Sequence, residues 1–165
     1  RVGAGPFPSE LDDDLGDEIR KRGGEFGTTT GRPRRTGWID LVALRYASRI
    51  NGMTSLVITK LDVLDGFDTL KLCTGYRTAE GAEVDAFPYH QTILHHVTPI
   101  YTELPGWNTD ITGMRTAEEL PEALHDYLRF IEEAVGVPVG LLGVGPARDQ
   151  IVWTGERSPL LPQPA

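Results

Sequence analysis

The sequence has one cysteine, Cys73, no apolar run long enough to cross a membrane, and fewer basic than acidic side chains. A single cysteine excludes an intrachain disulfide, and nothing indicates an oxidising compartment. A membrane-spanning helix needs about 20 apolar residues in succession, and no stretch approaches that length. With 24 acidic and 16 basic residues the formal net charge is -8, which argues against nucleic acid or an anionic membrane as the main partner. We expect a cytoplasmic protein.

The composition indicates one folded domain. The chain has 165 residues, of which 39% are hydrophobic and 24% charged, which is enough for a sizeable core. It opens with "RVGAGPFP", which lacks methionine and is typical of a loop interior. We therefore expect the chain to be the last part of a longer protein. Residues 1–153 are predicted to fold, and residues 154–165, with three prolines and no periodicity, are predicted to be a flexible tail.

Three helices are predicted from periodicity and capping signals. Ser9 is the candidate N-cap of the first helix, and Gly23 is its predicted end. Residues 38–50 form a second helix that we expect to be largely buried. Residues 116–136 form an amphipathic helix with capping-box spacing at its start. Its predicted inner stripe consists of Leu124, Tyr127, Leu128 and Ile131.

Strand patterns alternate with these helices. The short apolar run 55–59 predicts a strand covered on both faces. Residues 69–77 and 82–88 predict a hairpin, and residues 98–107 predict a further strand that runs into a turn. A last apolar strand is predicted in residues 137–146, which end in glycines. This alternation indicates an α/β protein.

A loop rich in glycine, threonine and arginine separates the first two helices. Residues 23–37, "GGEFGTTTGRPRRTG", contain five glycines, four threonines and three arginines. Such a loop lets backbone N–H groups approach a ligand, and Arg32, Arg34 and Arg35 supply planar donors suited to carboxylate or phosphate. An anion-binding loop is one interpretation, and a solvated basic turn is the other. A nucleic-acid patch fits poorly, since no aromatic residues are interleaved with the arginines.

A second candidate site, "TKLDVLDG", follows the apolar run 55–59. Lys60 and Asp62 would lie at the carboxyl end of that strand, where open α/β sheets bind ligands. An aspartate there can accept hydrogen bonds from the ring N–H and the exocyclic amine of guanine, and a lysine stem can lie across the base. "GVGP", at 143–146, follows another apolar strand and could edge the same pocket. The alternatives are a chance triplet in a loop and an ordinary strand-ending turn.

Five strings resemble, in order and spacing, the carboxyl-terminal third of the adenylosuccinate synthetase family: "RVGAGPFP", "GGEFGTTTGRPRRTGWIDLVALRYASRING", "TKLDVLDG", "YTELPGW" and "VGVPV" leading to "GVGP". The resemblance implies a P-loop GTPase-like α/β fold, with a mostly parallel central sheet and flanking helices, of which this chain is an incomplete part. The family uses GTP and magnesium to join L-aspartate to inosine monophosphate (IMP) through a 6-phosphoryl intermediate, in the AMP branch of purine biosynthesis. The resemblance also implies a cytoplasmic homodimer.

The resemblance implies roles for individual residues. The loop 28–34 would close on aspartate, Arg32 would also touch the IMP ribose, and Arg34 would reach toward both aspartate and GTP. The implied aspartate and IMP contacts are Val2, Thr28, Thr29, Thr30, Gly31, Arg32, Pro33 and Arg34. The implied GTP contacts are Arg34, Lys60, Leu61, Asp62, Gly143, Val144 and Gly145.

The sequence departs from the family pattern in several places. The family's phosphate loop, magnesium-binding catalytic aspartate and catalytic histidine belong to its amino-terminal part, so we assign no catalytic residue and no magnesium ligand to this chain. Gly143 stands where the family often has serine, and "DAFPYHQTILHHVT" fits the family poorly. We expect the histidines to be surface residues rather than metal ligands. They are His90, His95, His96 and His125.

Several functions stay open at this level. The chain could be part of a GTP-dependent ligase that is active only together with the amino-terminal part. It could instead be a guanine-nucleotide-binding module without catalysis, or an inert fragment. A diverged paralogue that ligates a different amine or uses a different nucleotide is a further alternative.

Overall fold

The computed structural model describes residues 3–88 and 90–155. Helices and strands alternate within these ranges, which confirms the predicted α/β class. The elements are α1 (Asp14–Arg22), β1 (Ile39–Asp40), α2 (Leu41–Asn51), β2 (Leu56–Ile58), β3 (Thr69–Arg77), β4 (Glu83–Val84), α3 (Gln91–Leu94), β5 (Thr98–Pro105), α4 (Glu122–Val135), β6 (Val139–Gly143) and β7 (Ile151–Trp153). Short 3-10 helices span Leu61–Leu64 and Ala117–Glu119.

The described strands form two mixed sheets. In one sheet, β3 pairs with β1 in parallel and with β4 and β5 in antiparallel orientation, so the predicted hairpin is confirmed. In the other sheet, β6 pairs with β2 in parallel and with β7 in antiparallel orientation. The expectation of a mostly parallel sheet therefore needs correction. The connections from β1 to β3 and from β2 to β6 contain helices and join parallel strands, whereas β4, β5 and β7 pair antiparallel with their neighbours.

Helix α1 begins later than predicted. Asp13 is its N-cap, and the Asp13 side chain accepts a hydrogen bond of 2.9 Å from the backbone N–H of Gly16. Ser9 is fully buried and donates to the carbonyl of Trp38 at 2.7 Å. The choice of Ser9 as N-cap was wrong because its hydroxyl is used by a partner distant in sequence, which a local pattern does not reveal. The predicted end at Gly23 is confirmed.

Helix α2 and strand β2 are less buried than expected. Helix α2 ends at Gly52 as predicted, and it buries Leu41 and Val42. However, Ile50 is 62% exposed, and Val57 on β2 is 60% exposed. The expectations of a largely buried helix and a strand covered on both faces were wrong. The apolar residues of a helix or strand show which of its side chains can be buried, but they do not show which other elements pack against it.

Pro121 divides the predicted helix at 116–136 into two parts. The 3-10 helix Ala117–Glu119 carries the predicted capping box at Thr116, and α4 begins only after Pro121. A proline lacks the N–H that a helix interior needs, but it is tolerated at a helix start. The inner stripe is confirmed, since all four of its side chains are at most 5% exposed: Leu124, Tyr127, Leu128 and Ile131.

The chain remains ordered past the predicted tail boundary. Strand β7 was not predicted, and it extends the second sheet beside β6. Thr154 donates its N–H to the carbonyl of Gly140 at 3.3 Å and its hydroxyl to the carbonyl of Val139. Thr154, the first residue of the predicted tail, is therefore hydrogen-bonded to β6. Residues 156–165, the rest of the predicted tail, lie outside the described residues.

The histidines give no sign of a metal site. His90, His95 and His96 are exposed as predicted, whereas His125 is half-buried, with Nε2 3.0 Å from the carbonyl of Ala117. Across residues 3–88 and 90–155, no group of three or more His, Cys, Asp or Glu side chains could hold a metal ion. No helix of the described part is long and apolar enough to span a membrane.

Candidate functional site

A cleft of about 470 Å³ lies where the chain leaves β2 and β6. Because these strands are parallel neighbours, their carboxyl ends meet at the same edge of the sheet. Lys60 and Asp62, after β2, therefore line one cleft together with Gly143 and Gly145, at and after the end of β6. The other lining residues are Arg22, Gly23, Thr59, Val63, Pro146, Ala147, Gln150 and Ile151. The two segments that the sequence assigned to one base pocket are thus adjacent in the fold.

The Asp62 carboxylate is available to a ligand. Asp62 is half-buried and lines the cleft, and its side chain makes no hydrogen bond or ion pair with any described residue. The backbone carbonyl of Asp62 accepts the N–H of Asp65 at 3.2 Å, which closes the 3-10 turn. An aspartate that served only to cap this turn would accept a backbone N–H with its side chain. Asp62 therefore does not cap this turn through a side-chain hydrogen bond to the described residues.

Lys60 links the cleft to the glycine-threonine loop. Its backbone is left-handed, with φ 63°, which is uncommon for a residue with a side chain. The Lys60 ammonium donates to the carbonyl of Gly23 at 2.5 Å and lies 2.9 Å from a carboxylate oxygen of Glu25. Both partners lie at the start of the loop 23–37, so the lysine that lines the cleft is attached to that loop.

Leu61 and Val144 were predicted as GTP contacts, but their side chains face the core. They are 1% and 0% exposed and belong to the main hydrophobic cluster. The N–H of Val144 already donates to the carbonyl of Gln150 at 3.0 Å. Any contact from these two positions to a ligand is therefore restricted to the remaining backbone atoms.

The two glycines of the cleft tolerate a side chain differently. A Cβ at Gly145 would lie 2.4 Å from the carboxamide of Gln150, which is fixed by two hydrogen bonds to neighbouring backbone. A Cβ at Gly143 would lie 3.3 Å from Thr59, a contact that a small shift relieves. A side chain at Gly145 would therefore displace the Gln150 carboxamide from its two hydrogen bonds, whereas one at Gly143 would require Thr59 to move by a few tenths of an ångström. Sequence reasoning missed Gln150, which has no local signal.

The glycine-threonine loop is closed by its own backbone. Gly27 donates to the carbonyl of Arg32 and Gly31 donates to the carbonyl of Gly27, both at 2.8 Å, and Phe26 forms an antiparallel bridge with Pro33. Gly31 has φ 63°, a left-handed conformation that glycine adopts without strain. This turn presents six predicted ligand residues to solvent: Thr28, Thr29, Thr30, Gly31, Arg32 and Pro33.

The three loop arginines have different partners. Arg35 is bound to Glu10, so the expectation that it offers free donors to a ligand was wrong. The half-buried Arg34 pairs with Glu25 at 2.9 Å, and its Nε is buried without a hydrogen-bond partner among the described residues. Arg32 is exposed, and its guanidinium bonds to no side chain or carbonyl of the described part. Of the three, Arg32 offers the most complete set of donors to a ligand.

Glu25 joins the loop to the cleft. One carboxylate oxygen accepts from Nη1 of Arg34 at 2.9 Å, and the other lies 2.9 Å from Nζ of Lys60. The hydrogen bond from Lys60 lowers the pKa of Glu25, burial opposes this shift, and Arg34 lowers the pKa further. Glu25 is therefore ionised at neutral pH. Sequence reasoning missed this residue, because a single loop glutamate carries no local signal.

Asp65 anchors the segment that carries Lys60 and Asp62. Its two carboxylate oxygens accept the indole N–H of Trp107 at 2.5 Å and the backbone N–H of Ile111 at 3.2 Å. Nη1 of Arg22 donates to the carbonyl of Asp65 at 2.5 Å. Burial raises the pKa of Asp65, and the hydrogen bonds from Trp107 and Ile111 oppose that shift. The segment is thus attached to the core on one side and to α1 on the other.

The structure brings the predicted residues together in two groups. Four of the implied GTP contacts line one cleft, and Arg34 reaches this group through Glu25 and Lys60. The implied aspartate contacts 28–34 occupy one loop. Val2, an implied IMP contact, lies outside the described residues.

Known proteins match this chain over nearly its whole length. A family model described as adenylosuccinate synthetase matches residues 1–152. The adenylosuccinate synthetase of Frankia alni is 59% identical over 150 residues, which cover 91% of this chain and 35% of the relative. That of Alkaliphilus metalliredigens is 57% identical over 152 residues, with 92% and 35% covered.

A solved structure agrees with these matches. The fully ligated adenylosuccinate synthetase from Plasmodium falciparum superposes with a TM-score of 0.88 at 37% sequence identity, covering 94% of this chain and 37% of that chain. The chain spans about a third of the length of the curated relatives it matches. The family model spans the residues of both the cleft and the loop, and the chain therefore belongs to the adenylosuccinate synthetase family.

Proposed function

We propose that this chain supplies the carboxyl-terminal third of an adenylosuccinate synthetase, which ligates L-aspartate to IMP and releases adenylosuccinate, GDP and phosphate from GTP. One observation carries the proposal: the cleft that holds Lys60 and Asp62 is joined through Glu25 to a loop that carries Arg32 and Arg34. A reaction that uses a guanine nucleotide and a dicarboxylate requires a site that binds the guanine base and, near it, a site that binds the carboxylates. In this proposal residues 1–153 form the folded part and residues 154–165 form the predicted tail, whose first residue, Thr154, is hydrogen-bonded to β6.

The cleft binds the guanine base. The unpaired Asp62 carboxylate accepts from the ring N–H and the 2-amino group of guanine, a donor pair that adenine lacks. The Lys60 stem lies along the base while its ammonium stays at the cleft rim. Gly143 and Gly145 leave space for the base at the opposite edge. This arrangement selects GTP over ATP as the source of the phosphoryl group.

The loop 28–34 binds L-aspartate. The free guanidinium of Arg32 can make two parallel hydrogen bonds to a carboxylate, with a geometry that an ammonium cannot reproduce. The exposed hydroxyls of Thr28, Thr29 and Thr30 add short polar contacts. Arg34 lies between the loop and Lys60, from which it can contact both aspartate and the nucleotide. Closure of such a loop would exclude water from the reacting groups.

The phosphate and magnesium sites would be formed by other parts of the full-length protein. The sequence contains no glycine-rich phosphate loop with its lysine, and the residues of the described part form no metal site. Magnesium neutralises phosphate charge in phosphoryl transfer. We assign it no ligand in this chain. The cytoplasmic homodimer implied by the family is part of the same proposal.

The test compares the full-length protein with residues 1–165 alone. Each is purified and assayed for adenylosuccinate with GTP, magnesium, aspartate and IMP. We expect product from the full-length protein and none from the shorter chain, since phosphoryl transfer depends on groups positioned around phosphates and metal. A full-length protein that accepts only a different amine or nucleotide would overturn the substrate assignment. Product from the shorter chain would refute the placement of the catalytic groups outside it.

A further inference from the structure

Glu25 contacts two cations that serve different ligands in the proposed function. Its carboxylate lies 2.9 Å from Nη1 of Arg34, in the aspartate loop, and 2.9 Å from Nζ of Lys60, beside the base cleft. The three side chains are partly buried to exposed, with 21%, 36% and 53% of their surface accessible for Glu25, Arg34 and Lys60. A change at either cation therefore acts directly on the carboxylate that holds the other.

The backbone around Glu25 fixes where this carboxylate lies. The N–H of Glu25 donates to the carbonyl of Arg20, and the N–H of Arg34 donates to the carbonyl of Glu25, both at 2.9 Å. Nε of Arg20 in turn donates to the carbonyl of Arg34 at 2.7 Å. Glu25 is thus held at the end of α1 independently of its side-chain contacts. A substitution of its side chain should free Nη1 of Arg34 and leave Lys60 with only the carbonyl of Gly23, without displacing the loop backbone.

Lys60 also forms part of the wall between two cavities. A second cavity, of about 350 Å³, is lined by Glu25 and Arg35, and it shares Gly23, Thr59, Lys60 and Val63 with the base cleft. The Lys60 ammonium contacts Glu25, which lines only the second cavity. A guanine base that restricts the Lys60 stem in the cleft therefore also restricts the Lys60 ammonium, which contacts Glu25 in the second cavity.

We infer that Glu25 is a positioning residue that couples nucleotide binding to aspartate binding, an inference that rests on the proposed function. A base beside the Lys60 stem restricts the ammonium to its contact with Glu25, and the same carboxylate then holds Arg34 toward the loop. Conversely, aspartate bound by the loop restricts Arg34, and Arg34 restricts Glu25, which then holds Lys60 beside the base. Because energetic coupling between two sites is reciprocal, each ligand strengthens the binding of the other by the same factor.

The substitution Glu25→Gln tests this coupling with little change in shape. Glutamine keeps one acceptor oxygen but presents an N–H group to the second cation, so it cannot hold both. The matched control is Glu103→Gln, which removes the partner of another lysine, Lys71, at 2.8 Å on the β3–β5 pair, outside both cavities. Both variants are made in the full-length protein.

Three quantities are measured in the wild type and in both variants: the Kd of GDP by calorimetry without turnover, the KM of aspartate at saturating and at low GTP, and kcat. In Glu25→Gln we expect the Kd of GDP and the KM of aspartate each to rise about fivefold or more, as for the loss of a charge-assisted hydrogen bond. We also expect the dependence of the aspartate KM on GTP to disappear. Glu103→Gln should behave as the wild type.

The outcomes separate this inference from the proposed function. A wild-type protein without ligase activity overturns the proposed function whatever Glu25 does. An active wild type in which Glu25→Gln alters only one ligand's affinity, or in which aspartate KM never depends on GTP, overturns the coupling. A lowered Tm and a smaller active fraction with both affinities unchanged would make Glu25 a purely structural residue and would also overturn it.

Discussion

Arg35 and Glu10 form a bidentate ion pair, with hydrogen bonds of 2.7 and 2.6 Å from Nε and Nη2 of the guanidinium to the two carboxylate oxygens. Arg32, in the same loop, has no side-chain partner among the described residues. The protein thus satisfies one of two arginines of equal charge with a carboxylate and leaves the guanidinium of the other exposed. Substitutions at the two positions should differ accordingly.

Arg32→Lys in the full-length protein should impair aspartate use. The charge is kept, but an ammonium cannot make the two parallel bonds of a guanidinium to a carboxylate. We expect the KM for aspartate to rise about tenfold, equivalent to roughly 1.4 kcal/mol, with a smaller change in the KM for GTP. Steady-state kinetics with each substrate varied in turn measure both constants.

The control for this substitution has to lie away from the cleft. Arg22 would be the natural choice from sequence, but it lines the cleft and bonds to the carbonyl of Asp65. Arg129, on the exposed face of α4 and paired with Asp126 at 2.6 Å, is a better control. If Arg129→Lys raised the aspartate KM as much as Arg32→Lys, the assignment of the loop would be wrong.

Asp62→Asn should shift the nucleotide preference from GTP toward XTP. The amide replaces one acceptor by a donor that faces the 2-amino group of guanine, whereas the 2-carbonyl of xanthine pairs with it. A mispaired buried polar group costs about 1 to 3 kcal/mol, so the ratio of kcat/KM values should change about tenfold to over a hundredfold. Kinetics of the full-length variant with GTP and XTP give this ratio.

A turn-stabilising role for Asp62 predicts a different result. If the carboxylate only supported the 3-10 turn, both nucleotides would lose efficiency alike and their ratio would stay constant. The exposed Asp126→Asn variant on α4 serves as the control for general effects of removing a negative charge. An unchanged ratio in Asp62→Asn would rule out the assignment of this residue to guanine.

Asp40→Ala should strongly destabilise the fold. The Asp40 carboxylate caps α2 by accepting the N–H of Ala43 at 3.0 Å, and it accepts the hydroxyl of the fully buried Tyr76 at 2.6 Å. Alanine removes the cap and leaves a buried hydroxyl without a partner, so we expect a loss of about 2 to 4 kcal/mol in the free energy of unfolding. Urea denaturation of the full-length protein measures it.

Two variants calibrate that measurement. Asp13→Ala removes only the cap of α1 and should cost about 1 kcal/mol. Asp40→Asn keeps an acceptor for the cap and should cost less than Asp40→Ala. Burial raises the pKa of Asp40, opposed by its hydrogen bonds from Tyr76 and the α2 backbone, so the neutral amide also avoids burying a charge. Equal losses for Asp13→Ala and Asp40→Ala would contradict the role of the Tyr76 contact.

Acid should weaken the loop anchors. The hydrogen bond from Arg35 lowers the pKa of Glu10, and that from Lys60 lowers the pKa of Glu25, from the ordinary value of 4.5. A lowered folded-state pKa means that the unfolded chain binds more protons, so both contributions are fully present above about pH 4.5 and are lost as the pH falls through the folded values. Stability measured from about pH 6 to pH 3 should decline less steeply in Glu10→Gln and Glu25→Gln than in the wild type. Identical slopes would contradict the role of these pairs.

Local chemistry explains why much of the fold was predictable. The ends of α1 and α2 at Gly23 and Gly52, the β3–β4 hairpin and the inner stripe of α4 depend on turn residues and short-range periodicity, which are visible in the letters themselves. The position of Lys60 and Asp62 at the cleft was also predictable, because these residues directly follow an apolar run. Long strings shared with one family placed the chain in that family without any knowledge of contacts.

Other features depended on groups that are distant in sequence. The pairing of Arg35 with Glu10, the bridge of Glu25 to Lys60, the burial of Ser9 and the exposure of Val57 follow from how the elements pack. No local pattern records which carboxylate meets which arginine, since hydrogen bonds and ion pairs form between whatever groups the fold brings within about 3 Å. The sequence by itself therefore determined which residue types occur at the site. Only the tertiary structure decided that Arg35 is paired with a carboxylate and that Arg32 is exposed.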